Sequence, residues 1–175
     1  MKKIISPAVL FFSILFSACS PLTPEKYFDV AVLNSNFLVG FAENGQLREL
    51  QSPSMKMSEK DGKVVVMNRS EAIDTKIQFV ETTLAKLKTL KITEDSKEIL
   101  EASRPLYEYV LPVYKKEYRE LAMLYDKNAP KEKLDAQAEL IRNKYYTRYE
   151  ELHTRLVNAG KSYARKHNIE VNWGM

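Results

Sequence analysis

Cysteine, histidine and glycine are scarce in this chain, and each scarcity removes a class of chemistry. Cysteine occurs once, at Cys19, and histidine twice, at His153 and His167. A Ser-His-Asp site has only those two imidazoles to draw on, and neither has a candidate nucleophile near it in sequence. There is no Gly-rich phosphate loop, no Gly-x-Ser-x-Gly elbow and no His-Glu-x-x-His zinc helix. No catalytic residue is assigned, and neither enzyme activity nor a cofactor is expected. The 5 glycines in 175 residues, with charges interspersed, favour a helical domain over a β-sandwich.

Charge of one sign is also lacking. Without Lys2 and Lys3, 25 basic residues face 23 acidic ones, a net charge of +2. That balance gives no electrostatic case for nucleic acid. A long apolar run is missing as well. The stretch from Val9 to Phe16 falls short of the roughly 20 residues that span a bilayer, and Pro7 and Ser13 interrupt it.

The N-terminus nevertheless carries an address. Lys2 and Lys3 lead into that apolar stretch, then come the small residues Ser17 and Ala18, then Cys19. A charged, apolar, small order reads as a secretory signal. Leu15-Phe16-Ser17-Ala18-Cys19 resembles the bacterial lipobox, with Phe16 where an aliphatic residue is usual. The resemblance implies cleavage before Cys19 and lipidation of its sulfur by a thioether-linked diacylglycerol, with a further acyl chain such as palmitate on the new N-terminus. Two or three chains hold a protein on a membrane where one does so only marginally. An acylated Cys19 leaves no thiol for disulfides, nucleophilic attack, thiolate metal sites or haem attachment. Ser20, in place of the aspartate that marks inner-membrane retention, implies the outer membrane. The organisation is therefore a signal peptide at 1–18, a lipid-anchored tether at 19–23 and a helical domain at 24–175.

Within that domain, Thr23 and Pro24 predict an N-cap and first helical position. The first helix is expected to reach about Leu50, with Tyr27, Ala31, Phe37, Leu38 and Phe41 inward and a break near Asn44-Gly45. Asp61-Gly62, flanked by Met55-Lys56-Met57 and Val64-Val65-Val66-Met67, predicts a β-hairpin, with a loop as the alternative. Ser70 is expected to cap a second helix striped by Ile73, Ile77, Val80, Leu84 and Leu87. A third should run from Thr93 to about Tyr125, broken near Pro105 and kinked near Pro112. The fourth, after Asn128-Ala129-Pro130, carries Leu134, Ala138, Ile141, Tyr145, Tyr149, Leu152, Leu156, Ala159 and Tyr163 to about His167. The tail from Ile169 to Trp173 alternates as a half-buried strand would. The fold class is all-α, a four-helix bundle with a small hairpin between the first and second helices.

Three patterns bear on chemistry. Glu150 and His153 form a Glu-x-x-His, but Ala164 precedes His167, so the second unit of a di-metal bundle is missing. His153 and His167 are separated by roughly 21 Å of helix, too far to share an ion. No metal site is assigned. Lys161, Arg165, Lys166 and His167 form a basic run that suits anionic headgroups, or more simply a helix C-terminus. Nine of the 10 tyrosines fall between Tyr107 and Tyr163. Tyr107, Tyr114, Tyr118, Tyr145 and Tyr149 either line a cleft that stacks on a small ligand or fill a core with their hydroxyls at its rim.

The lipobox, the short tether, Lys26-Tyr27-Phe28-Asp29 leading into Leu33-Asn34, and the long Tyr-rich helices together resemble helical surface lipoproteins of Gram-negative bacteria. The resemblance implies a cell-envelope location. The function expected is non-enzymatic, a bundle held by lipid on a membrane surface to engage an envelope protein or polymer. The alternative is a small-ligand-binding lipoprotein whose Tyr-lined cleft lies between the third and fourth helices. The resemblance transfers no catalytic residue.

Overall fold

Thr23 and Pro24 start the fold as the sequence predicts. In the computed structural model, which describes residues 22–52 and 54–173, α1 spans Pro24–Ala31. The Thr23 hydroxyl accepts from the Lys26 N–H at 3.4 Å, satisfying one of the orphan donors of the first turn. The expected leader, Cys19 and the tether up to residue 21 lie outside the described residues.

The expected first helix to Leu50 is corrected to three short pieces: α1, a 3₁₀ segment Leu33–Leu38, and α2 at Asn44–Gln51. Gly40 is the cause. Its φ of +82° leaves the helical region, and a Cβ there would lie 3.0 Å from the Gly45 Cα. The two glycine backbones touch, which folds the chain back on itself and seats Phe41 in the core.

The hairpin forms as predicted, with β1 at Met55–Met57 antiparallel to β2 at Val64–Val66 and Gly62 at φ +67° in the turn. Directly after it, α3 runs from Arg69 to Thr89. Its N-terminus is corrected. Ser70 does not cap it locally; the Asp126 carboxylate accepts from the Arg69 and Ser70 N–H groups at 2.8 and 2.9 Å.

The third predicted helix is one continuous rod rather than two. Lys97–Val113 (α4) passes through a π turn at Tyr114–Tyr118 into α5, Arg119–Asp126. The break expected at Pro105 does not occur. Pro105 strips a partner from the Glu101 carbonyl, and Glu101 is an exposed residue, which keeps the cost of that loss small. Pro112 is followed immediately by the π turn, the distortion such sites favour.

The last helix, α6, spans Lys131–Lys166 and packs mainly on α4. Its predicted stripe is inward: Ile141, Tyr149, Leu152, Leu156, Ala159 and Tyr163 are buried, and Leu134, Ala138 and Tyr145 partly so. Asn128 and Asn168, both with φ above +50°, turn the chain out of α5 and α6.

The expected strand at the tail is corrected to an irregular segment. Ile169, Val171 and Trp173 pack on the core, with Trp173 edge-on to Phe28 at 5.9 Å. It covers Gly160, where a Cβ would meet Val32 at 2.7 Å and the Trp173 ring at 3.2 Å. The alternation therefore reports burial, not pairing. Pairing with the hairpin is ruled out by position. The Tyr27 hydroxyl donates to the Lys91 carbonyl at 2.9 Å, which fixes α1 at the C-terminal end of α3. The hairpin leads into the other end, roughly 30 Å away along 21 residues. The whole is an all-α bundle with a two-stranded insertion.

Candidate functional site

The tyrosines expected to line a cleft or fill a core fill the core. Tyr107, Tyr114 and Tyr118 are 0% exposed, and Tyr149 is buried. Phe41 stands at the middle, with ring centroids 5.3 Å from Tyr114, 5.6 Å from Tyr118 and 5.0 Å from Tyr149. A single phenyl from the Gly40 turn thus plugs the space that an open cleft would need. Tyr145 stays at the edge, where its hydroxyl donates to Glu117 Oε1 at 2.9 Å.

Most of the buried hydroxyls have work to do in holding the N-terminal segment. Tyr149 donates to the Leu38 carbonyl at 2.7 Å, and Tyr114 donates to Gln46 Oε1 at 3.2 Å. Tyr118 Oη accepts from the Ala42 N–H at 2.7 Å. Burial pushes all four phenols, Tyr107 included, above their ordinary pKa, so none supplies a proton near neutral pH. The Tyr107 hydroxyl alone among them meets no partner in the described residues.

That contrast yields a prediction. Tyr118→Phe should lose about 1–2 kcal/mol of stability, because the buried Ala42 N–H is left unpaired. Tyr149→Phe should lose less, about 1 kcal/mol, because the Leu38 carbonyl keeps the Phe41 N–H at 3.0 Å. Tyr107→Phe should lose nothing and gain up to about 1 kcal/mol, since it deletes an unsatisfied hydroxyl. Urea unfolding of the three variants decides it; equal losses at Tyr107 and Tyr118 would refute the distinction.

The Glu-x-x-His residues separate. Glu150 lies on an open groove of about 700 Å³ between α4 and α6, beside Glu98, Glu151 and Arg155. His153 stacks on Tyr149 at 5.5 Å instead. Burial holds its imidazole below the ordinary value, against the opposite pull of Glu43. Among the described residues no three His, Cys, Asp or Glu side chains converge as a metal site would require. Two members of the basic run at the end of α6 are engaged within the domain: Lys166 pairs with Asp95, and Lys161 lies 5.7 Å above the Trp173 ring.

A second groove, about 390 Å³, lies between α2, α3 and the base of the hairpin. Phe37, Leu50, Met67 and Ile73 line it. Its lysine, Lys76, is already engaged by Glu49 at 2.8 Å and by the Phe37 ring at 4.5 Å.

The surface missed in the sequence is the hairpin itself. Cross-strand partners are Met55 with Val66 and Met57 with Val64, so these four side chains share one face of the ribbon. They are 57%, 54%, 70% and 65% exposed. On the opposite face Lys56 reaches Glu71 at 2.6 Å and anchors the ribbon to α3. The signal was present: apolar residues at 55, 57, 64 and 66 are placed on one side by a turn centred on Asp61-Gly62.

No family model matches this chain, and comparison with curated proteins and with solved structures likewise finds no match. The fold and these surfaces define a helical bundle that carries an apolar hairpin at one end. Among the described residues no helix is long and apolar enough to cross a membrane.

Proposed function

We propose that this chain is a non-enzymatic lipoprotein of the bacterial cell envelope, a bundle held on a membrane surface to engage a protein or envelope polymer. The sequence from Lys2 through Cys19 carries the reading: positive start, short apolar run, small residues, then the only sulfur available for acylation. The fold supports it in two ways. Helix α1 opens at Pro24, five residues past Cys19, so the domain begins where a short tether ends. The buried tyrosines favour interaction through the surface over capture of a small ligand in a cleft.

Two or three acyl chains bind far more strongly than one, so the expected result is complete. The native protein pellets with membranes, and mass spectrometry finds diacylglycerol on a chain beginning at Cys19. Cys19→Ser leaves an unprocessed or soluble product. A free Cys19 thiol on membrane-purified protein would overturn the assignment. A pull-down from intact envelopes with the lipidated chain, with Cys19→Ser as control, then identifies what it engages.

A further inference from the structure

The thioethers of this domain sit outside its core. Among the described residues methionine occurs at Met55, Met57, Met67 and Met123, and none of the four is buried. Met55 and Met57 are the most open, at 57% and 70%, against 41% for Met123. Met67 is half-buried at the edge of the groove between α2 and α3. An oxidant attacks a thioether only where it can reach the sulfur lone pairs, so exposure decides which of these sulfurs reacts first.

We propose that Met55 and Met57 form an oxidation site, and that their conversion to sulfoxides turns the apolar face of the hairpin polar while the domain stays folded. Hydrogen peroxide supplies the oxygen. In each step the sulfur lone pair attacks one peroxide oxygen, so that the S–O bond forms and the O–O bond breaks. Sulfur gives up two electrons, and the departing oxygen leaves as water with the proton of the transferred one. A sulfoxide reductase reverses the step with a dithiol, which ends as a disulfide, with water as the other product.

The strand register makes the two sulfurs a pair. Alternate residues of β1 stand on one face, roughly 7 Å apart, and Met55 faces Val66 while Met57 faces Val64 across the ribbon. Half of the four apolar side chains on this face are therefore convertible, and together they form one whole edge of it. Oxidation gives each a polar oxygen, so a continuous apolar patch becomes a valine edge beside a polar one. The fold does not rest on either sulfur. The Ser58 N–H donates to the Lys63 carbonyl at 2.7 Å and the Met67 N–H to the Ser54 carbonyl at 2.8 Å, which closes the ribbon at both ends through its backbone. Lys56 fastens it to Glu71 of α3 from the opposite face. The other two methionines offer no such effect. Met67, next along from Val66, falls on the other face of the ribbon, and Met123 is the lone sulfur of α5. Cys19 takes no part, so the inference holds with or without its acylation.

To test it, the full chain, purified as the cell makes it, is treated with dilute hydrogen peroxide, and each methionine is followed by peptide mapping with mass spectrometry. Met55 and Met57 are expected to take up oxygen at least about fivefold faster than Met67, with Met123 between. The circular dichroism melt of the chain oxidised at those two sites should match that of the untreated one. Carbene labelling of Val64 and Val66 by a small apolar diazirine reads the face itself, and should fall at least about twofold on oxidation. Met55→Gln with Met57→Gln, whose amides imitate the polarity of the sulfoxide, should give the same fall without peroxide. Met55→Leu with Met57→Leu should label as wild type does and not respond to peroxide. Oxygen uptake at Met55 and Met57 no faster than at Met67 overturns the proposal. So does labelling that oxidation leaves unchanged, a melt lowered by their conversion, or an equal response to peroxide in the leucine chain.

Discussion

Phe41→Ala is expected to cost about 3–5 kcal/mol, the largest single loss in the molecule. Phe41 is 0% exposed and lies within 5.6 Å, centroid to centroid, of three tyrosine rings contributed by α6 and the π turn. Truncation removes its transfer free energy, the edge and tilted ring contacts worth up to about 1.5 kcal/mol each, and leaves a cavity. The surroundings relax poorly. Tyr149 and Tyr118 are pinned by hydrogen bonds to Leu38 and Ala42, on either side of Phe41. In a domain of this size the loss amounts to a fall of roughly 10 °C in Tm. Phe41→Leu should recover about half of it. Calorimetry and urea unfolding measure both. A cost below about 1 kcal/mol would mean that the ring lines an opening instead of a packed centre, and the cleft reading of the tyrosines would return.

The long helices were legible because their inward residues repeat at helical spacing without interruption. Ile73 to Leu87 on α3 and Ile141 to Tyr163 on α6 are buried as that spacing requires. The hairpin was legible because Asp61-Gly62 is a local signal, complete within the turn. What failed depended on distant contacts. The N-terminal helix stops at Ala31 and the chain folds back where Gly40 meets Gly45, and nothing in the apolar spacing of residues 24–50 reveals that approach. The tail alternates because Ile169, Val171 and Trp173 cover α1 and α6, a demand that strand pairing would produce equally well. The tyrosine spacing is the same for a cleft and a core. What separates the two is Phe41, together with the hydroxyl partners at Leu38, Ala42 and Gln46, each more than 60 residues away in sequence. The candidate site was thus readable as a set of residues and not as an arrangement. Cys19 is the reverse case, because its motif is wholly local.

Asp126 was invisible for the same reason, and removing it should have the second-largest effect. It lies at the end of α5, 57 residues from Arg69, yet supplies the N-terminal cap of α3. Its two oxygens accept from the Arg69 N–H, the Ser70 N–H and the Ser70 hydroxyl at 2.8, 2.9 and 2.7 Å. The negative charge also faces the positive end of the helix dipole. Charge-assisted caps of this kind are worth about 2–3 kcal/mol, so Asp126→Ala should lose that amount and loosen the hairpin that feeds α3. Burial alone pushes the carboxyl upward. The Ser70 hydroxyl, the two backbone donors and the Arg69 guanidinium outweigh it and hold the pKa below the ordinary value. The sign follows. With the folded pKa below the unfolded value of about 3.9, the stabilisation is complete above that value and is lost as pH falls through the folded one. Asp126→Asn keeps the shape and one acceptor but carries no charge, so it should fall between wild type and alanine and show a flatter acid limb. Urea unfolding between pH 7 and 2.5 separates the three chains. A wild-type acid limb that Asp126→Asn leaves unchanged would assign the pH dependence to other carboxylates. The cap would then act through hydrogen-bond geometry alone, and the connection between the far end of α5 and the hairpin would not depend on charge.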